Sequence, residues 1–237
     1  MTDTATPPLV VRGLHGHYGQ SHVLHGMDFN VQRGEVVTLL GRNGAGKTTT
    51  LRAIIGILGK RSGSVIFEGV ETIALPSERI AALGLAYCPE ERGIFSALTV
   101  QENLVLPPIL KPGGMTLDEI HGLFPWLKER AKSQGTKLSG GEQQMLAIAR
   151  ILRTGAKTLL LDEPTEGLAP IIVQQIGDII RKLKKSGYTL LLVEQNLRFA
   201  MSVADRHYVV EHGRVVDAVT NGQLIERPGC LDMYLSV

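Results

Sequence analysis

Between Leu40 and Leu51 the chain passes from an apolar run to a helical one through Gly41-Arg42-Asn43-Gly44-Ala45-Gly46-Lys47-Thr48, and this junction restricts the fold more than any other feature. The preceding run, Glu35-Val36-Val37-Thr38-Leu39-Leu40, is nearly all apolar, as a strand covered on both faces of a parallel sheet is. After it, Leu51, Ile54, Ile55 and Leu58 recur at i, i+3, i+4 and i+7, which predicts a helix beginning near Gly46 with one face on the sheet. A glycine-rich turn in that position lets backbone N–H groups converge on phosphate oxygens, and the helix N-terminus adds its positive end. The octapeptide matches G-x-x-x-x-G-K-[ST] in the setting that pattern requires. The expected nucleotide contacts are therefore Gly41, Asn43, Gly44, Ala45, Gly46, Lys47, Thr48 and Thr49. Lys47 would reach the β- and γ-phosphates, and the Thr48 hydroxyl would ligate Mg²⁺.

Other segments supply the rest of an α/β pattern. Leu9-Val10-Val11 and Met27 to Val31 read as short strands separated by the glycine-rich stretch Gly13 to Gly19, with further strands at Gly63 to Phe67 and Leu85 to Cys88. From Pro89 to Lys157 the character turns helical, broken by Pro107-Pro108 and Pro112-Gly113-Gly114, with Leu117, Ile120, Leu123, Phe124 and Leu127 at helical spacing. Strand signals return at Leu159 to Leu161 and Leu190 to Val193, bracketing a helix marked by Ile172, Val173, Ile176, Ile179, Ile180 and Leu183. That order predicts a parallel sheet with right-handed crossovers. Tyr208 to Val216 predicts a hairpin turning near Gly213.

Two more motifs carry chemistry. Leu159-Leu160-Leu161-Asp162-Glu163 is an apolar strand ending in two acids, whose side chains are expected to alternate. Asp162 would orient the magnesium shell, and Glu163 would polarise the attacking water. Upstream, Leu138-Ser139-Gly140-Gly141-Glu142-Gln143-Gln144 opens an amphipathic helix and forms a second anion site, although Ser139 and Glu142 also suit a capping box. One nucleotide needs one phosphate loop, so Ser139, Gly140, Gly141 and Glu142 are expected to serve a nucleotide held by another subunit.

Composition excludes several alternatives. With 25 Lys+Arg and 23 Asp+Glu the net charge is +2, which argues against bulk electrostatic binding of nucleic acid. The longest apolar runs, such as Thr158 to Leu161 and Thr189 to Val193, fall far short of the ~18 residues that cross a bilayer. Residues Met1 to Pro8 lack the basic and apolar regions of an export signal. Two cysteines, Cys88 and Cys230, are too few for a disulfide framework or a metal site and suit a reducing compartment. His15, His17, His22 and His25 lie close together, but strand alternation and the lack of ligand spacing argue against a metal site. Lys182, Lys184 and Lys185 read as a solvated helix face.

The phosphate loop, the Ser-Gly-Gly-Glu-Gln stretch and the acid pair, in this order and spacing, resemble the ATP-binding cassette (ABC) ATPases of membrane transporters over essentially the whole chain. The resemblance implies an α/β fold: a P-loop NTPase core with a mostly parallel sheet, an N-terminal antiparallel β subdomain and an inserted helical subdomain. One ABC ATPase domain would span residues 1–237, with a nucleotide-binding core at 1–88 and 157–237 and the helical subdomain at 89–156. It further implies ATP and Mg²⁺ as cofactors, and head-to-tail dimers that trap ATP between the phosphate loop of one copy and the signature of the other. Tyr18 would stack on adenine with Val23 beside it, although Tyr18 also reads as a plain β-surface aromatic.

Three departures narrow the branch. Glu90, in Tyr87-Cys88-Pro89-Glu90-Glu91-Arg92, stands where the family usually has a glutamine, and it adds a carboxylate near the metal. Ala169 replaces an aspartate and Gln195, in Val193-Glu194-Gln195-Asn196, replaces the switch histidine. The set resembles the smaller ATPase of bacterial branched-chain amino-acid importers, with urea and short-amide importers as close relatives. Glu163, Gln195 and Lys47 are then the expected catalytic residues, and Thr48, Glu90 and Asp162 the expected metal ligands. A Gln195 amide donates to the γ-phosphate but does not titrate between pH 5 and 8, so no loss of ATPase rate from a histidine ionisation is expected. Glu90→Gln is expected to keep ATP binding and to alter its coupling to transport. Loss of a polar contact at Ala169 favours pairing with a non-identical cassette.

The implied partners are integral-membrane permease subunits, a second ABC ATPase (a paralogue or a second copy), and indirectly a periplasmic or extracellular solute-binding protein, with no nucleic acid. The implied location is peripheral, on the cytoplasmic face of the inner membrane. Phe95, Leu98, Val100 and Leu104 read either as a groove for a permease helix or as subdomain core. An exporter or lipid-extracting ATPase of the same fold, and a soluble ATP-switched module, stand as alternatives.

Overall fold

A computed structural model describes residues 6–226. Cys230, with residues 1–5, lies outside the described residues.

Ten strands and nine helices are described. The first half holds β1 (Leu9–Tyr18), β2 (Ser21–Val31), β3 (Val36–Leu40), α1 (Lys47–Ile54), β4 (Lys60–Phe67), β5 (Val70–Glu71), α2 (Ser77–Ala82) and β6 (Leu85–Cys88). Between β6 and the next strand lie α3 (Val100–Val105), α4 (Leu117–Leu123), α5 (Trp126–Glu129) and α6 (Gly140–Leu152). Then follow β7 (Thr158–Asp162), α7 (Pro170–Lys185), β8 (Thr189–Glu194), α8 (Leu197–Val203), β9 (Arg206–Glu211), β10 (Arg214–Thr220) and α9 (Asn221–Glu226).

These strands form two sheets. One runs β2-β1-β4-β5 and is antiparallel, and the other runs β10-β9-β3-β8-β7-β6, parallel except where β10 turns back on β9. The α/β architecture expected from the resemblance, an antiparallel sheet beside a mostly parallel one, is the one observed.

The apolar strands alternate between two cores. Leu159 and Leu161 of β7 with Leu190 and Leu192 of β8 face α6 and α7, where Leu146, Ile148, Ile176, Ile180 and Leu183 are buried. Leu160, Leu191 and Val193 face the other way, onto α1 and the antiparallel sheet, against Leu51, Ile54, Leu14, Leu24 and Met27. A sheet covered on both faces needs such continuous apolar strands, and their C-terminal ends deliver the acidic pair and Gln195 to one edge.

Four local expectations change. The stretch Gly13 to Gly19 does not separate two short strands: β1 runs through it to Tyr18, with register irregularities near Leu14 and His17 that absorb the glycines. The helix expected through Leu117 to Leu127 is two helices, because Phe124 leaves the helical region (φ −131°, ψ 72°) ahead of Pro125. Val100 and Leu104 are buried in the core while Phe95 is half exposed, so these four residues do not line one groove. Strand alternation does not scatter the histidines either, because the β1–β2 register sets His15 opposite His25 and His17 opposite His22.

Candidate nucleotide site

The phosphate loop leaves β3 and enters α1 with Gly44 at φ +79° and Gly46 at φ +103°. A side chain at Gly46 would meet Leu24 Cδ2 at 3.1 Å and Gly213 Cα at 3.3 Å in a left-handed backbone, so glycine is required there. At Gly44 a Cβ would meet nothing within 4 Å, because this backbone faces open space. That space is a cavity of about 510 Å³ lined by Val23, Asn43, Gly44, Gly46, Lys47, Thr48, Thr49, Glu90, Glu163 and Glu166. Its volume falls in the range of small-molecule sites, ~300–1,000 Å³.

Lys47 is 4% exposed, and its ammonium donates to the carbonyls of Gly41 at 2.8 Å and Arg42 at 3.1 Å. Burial lowers its pKa, while Glu163, 3.6 Å away, opposes that shift. The neighbouring Thr48 hydroxyl donates to Asp162 Oδ1 at 2.8 Å, and the Tyr87 hydroxyl donates to Asp162 Oδ2 at 2.8 Å. Burial raises the Asp162 pKa, and these two donors oppose the rise. A hydroxyl and a carboxylate side by side are hard oxygen donors of the kind that magnesium takes. Glu90 lines the same cavity, so all three expected metal ligands are near it or on it.

Glu163 and Asp162 diverge for a different reason than pleat alternation. β7 ends at Asp162, and Glu163 adopts a left-handed backbone (φ +44°), a conformation a non-glycine residue adopts at a cost of ~1–2 kcal/mol. Its carboxylate accepts a 2.6 Å hydrogen bond from Gln195 Nε2, so the amide expected to face a γ-phosphate holds the acid instead. Two groups near the site were not singled out from the sequence. Tyr87 binds Asp162, and Glu166, pushed up to about 7 first by its contact with Glu163, joins Glu90 and Glu163 around the cavity. The sequence placed both beside known motifs but carried no signal for the 75-residue separation that Tyr87 bridges.

The other expected contacts are dispersed. Tyr18 is 45% exposed at the hairpin tip and outside the cavity lining, with its hydroxyl near the Arg52 guanidinium, whereas Val23 lines the cavity. Ser139, Gly140, Gly141 and Glu142 also lie outside that lining, at the start of α6. There Ser139 forms the full capping box: its hydroxyl accepts from Glu142 N at 3.3 Å, and Glu142 Oε2 accepts from Ser139 N at 2.7 Å. Arg130 donates to Glu142 Oε1 at 2.6 Å.

Comparison with known proteins gives the family. The ABC transporter family matches residues 24–166. The high-affinity branched-chain amino acid transport ATP-binding protein BraG of Pseudomonas aeruginosa is 46% identical over 92% of this chain and 95% of its own. A probable branched-chain amino acid transport ATP-binding protein, LivF of Archaeoglobus fulgidus, is 37% identical over 90% of this chain and 92% of its own. Among solved structures, an ATP-binding subunit of an ABC transporter is 30% identical with a TM-score of 0.79, covering 93% of each chain. A nucleotide-free ATP-binding cassette superposes with a TM-score of 0.83 over 98% of this chain and 100% of that chain; at 24% identity it speaks for the fold alone. The family match spans more than half of the chain, and the strand, phosphate loop and acid pair it covers are those that build the cavity: the chain belongs to the ABC transporter family.

Proposed function

We propose that this chain is the ATP-hydrolysing subunit of a membrane importer for branched-chain or other hydrophobic amino acids. The observation that carries the reading is the pairing of Lys47 with Glu163 on the phosphate-loop cavity, with Gln195 holding Glu163, in a chain 46% identical to BraG.

The chemistry follows from the charges. Backbone N–H groups of the loop and the N-terminus of α1 hold the phosphates, and Lys47 balances their charge. Thr48, Asp162 and Glu90 would hold magnesium, which would supply positive charge against the negative charge developing on the phosphates. Glu163 accepts a proton from the attacking water, with its carboxylate fixed in direction by Gln195. Because Gln195 is committed to Glu163, it acts as a positioning residue.

Tyr18 and Val23 would hold adenine, and the Ser139–Glu142 segment would complete the nucleotide site of a second cassette. No helix among the described residues is long and apolar enough to cross a membrane. On this reading the subunit sits against permease partners at the cytoplasmic face, and the permease receives solute from a binding protein.

The test is uptake of labelled leucine, isoleucine and valine by the native host lacking this chain, complemented with the native sequence or Glu163→Gln. Restoration by the native chain alone is expected, with purified Glu163→Gln still binding Mg-ATP and turning over about 10²-fold or more slowly. Uptake unaffected by deletion would overturn the cargo assignment, and undiminished turnover in Glu163→Gln would overturn the assignment of the base.

A further inference from the structure

The histidines brought together by the β1–β2 register form a packed cluster. His22 is its hub: its ring stacks on His17 at 4.1 Å, lies 4.1 Å from His25, and sits 5.2 Å from His15. His15 Nδ1 and His22 Nε2 are 3.1 Å apart, so one nitrogen must donate and the other accept. Both rings cannot carry full charge and keep that bond.

The surroundings deepen this conflict. Lys60 on β4 stands opposite His17, and Arg214 at the start of β10 acts on His25. The charges acting on His17 are those of His22, Lys60, His15 and His25, and those on His25 are His22, Arg214 and His15. Every one of these groups is positive or becomes so. Partial desolvation first, and these charges second, hold His17 and His25 below the usual histidine range. Among the described residues no three such side chains are placed to hold a metal ion that could relieve the repulsion.

The cluster also sits at a telling place in the fold. His17 precedes Tyr18, His22 precedes Val23, and the Tyr18–Ser21 pair closes the hairpin. Val23 lines the nucleotide cavity, and the His25 amide is tied to the Gly213 carbonyl at 2.8 Å. Whatever opens this hairpin moves the expected adenine contacts.

We infer that the four histidines form a proton-sensitive latch on the adenine end of the site: neutral rings pack and keep the hairpin closed, while charged rings repel, release Tyr18 and Val23, and weaken nucleotide binding. The link to binding rests on the proposed adenine role of those two residues. Protons bind preferentially to the open form, because the closed form holds His17 and His25 below their ordinary value. The closed hairpin is thus fully stable above about pH 6.5 and loses stability as the pH falls below it. Rings 4.1–5.2 Å apart lie well inside the ~8 Å screening length of physiological salt, so the repulsion survives in the cell. A rigid cluster that merely gained charge would do the reverse: it would attract the polyanionic nucleotide and tighten binding in acid.

The test is calorimetric binding of Mg-ADP to the purified native chain, to His22→Gln, and to the variant with all four histidines replaced by Gln, at about pH 7.5 and about pH 5.5. Melting temperatures without nucleotide are measured in parallel. Nucleotide ionisation and the site carboxylates affect all three proteins alike, so the difference between them reports the cluster. Acidification is expected to weaken native binding about threefold or more beyond its effect on either variant, and to lower the native melting temperature more. The ATPase rate at saturating ATP is expected to keep one pH profile in all three. Equal acid responses in the native chain and both variants, or tighter native binding in acid, overturns the latch. Tyr18→Ala separates the two layers of the argument. Unchanged affinity at neutral pH would remove the adenine role, while the native-versus-His22→Gln difference in acid melting would still support the latch.

Discussion

Glu194 is a buried acid with a hydroxyl and the backbone N–H groups of Gln195 and Asn196 for company. It is 3% exposed at the end of β8, and Thr165 Oγ1 donates to its Oε1 at 2.8 Å. Burial pushes its carboxyl up to about 7, against the pull of the Thr165 hydroxyl. The sign follows directly. Below the ordinary carboxylate value Glu194 is protonated folded or unfolded; above it only the unfolded chain ionises, until the pH passes the raised folded value. Stability is therefore present in acid and lost as the pH climbs from about 4.5 to about 7. Glu194→Gln keeps an oxygen for Thr165 and never ionises. Its stability relative to the native chain is expected to rise across that window, by up to about 3 kcal/mol, read from urea unfolding near pH 5 and pH 8. A constant difference between the two proteins would mean that the folded Glu194 carboxyl ionises where the unfolded one does. The Thr165–Glu194 bond adds to the Glu163 N–Val193 carbonyl and Gln195–Glu163 bonds that join the loop after β7 to the end of β8.

At the scale of elements, three helices begin in the same way, although only the start at Ser139 was read from the sequence. Thr99 with Glu102, Thr116 with Glu119, and Ser139 with Glu142 all form complete capping boxes. The third coincides with the segment assigned to a partner's nucleotide, so the same serine has a structural job that can be measured alone. Ser139→Ala is expected to cost about 1 kcal/mol in unfolding of the isolated chain, and Ser139→Thr, which keeps the cap, much less. If folded Ser139→Ala loses ATP-driven association of two cassettes while Ser139→Thr keeps it, the hydroxyl reaches nucleotide as well as the helix; if neither loses it, the hydroxyl is a cap only. What the sequence concealed is of another kind. Leu117 to Leu127 kept helical spacing across Pro125, because the break lies in Phe124's backbone and leaves the apolar period intact. Gly13 to Gly19 looked like a linker because glycine count does not show whether a bulge will absorb it. Strand–loop–helix order is local and legible; the Tyr87–Asp162 and Thr165–Glu194 contacts depend on which strands become neighbours, and only the β6-β7-β8 order supplies that.

For the whole molecule, the question is how two sheets of different hydrogen-bonding pattern are joined. Part of the answer is the apolar layer they share, from Leu14 and Met27 on one side to Leu191 and Val193 on the other. The other part is polar. Arg206, at the start of β9, donates from Nε and Nη2 to the two oxygens of Glu35 at 3.0 and 2.9 Å, and from Nη2 to the Asn30 carbonyl on β2 at 3.0 Å. Its guanidinium lies 4.9 Å from the centre of the Tyr208 ring. One planar fork thus ties the parallel sheet, the turn before β3 and the antiparallel sheet, a geometry that a lysine cannot copy. Arg206→Lys is expected to lose about 1–2 kcal/mol and Arg206→Met about 3 kcal/mol, the larger loss because Glu35 is left half-buried without its partner. The shape of the unfolding curve matters more than its midpoint. Since the shared apolar layer remains, both variants should unfold in one transition with the native slope, displaced to lower denaturant. Two separated transitions in Arg206→Met would mean that the arginine, and not the apolar layer, makes the sheets one cooperative unit.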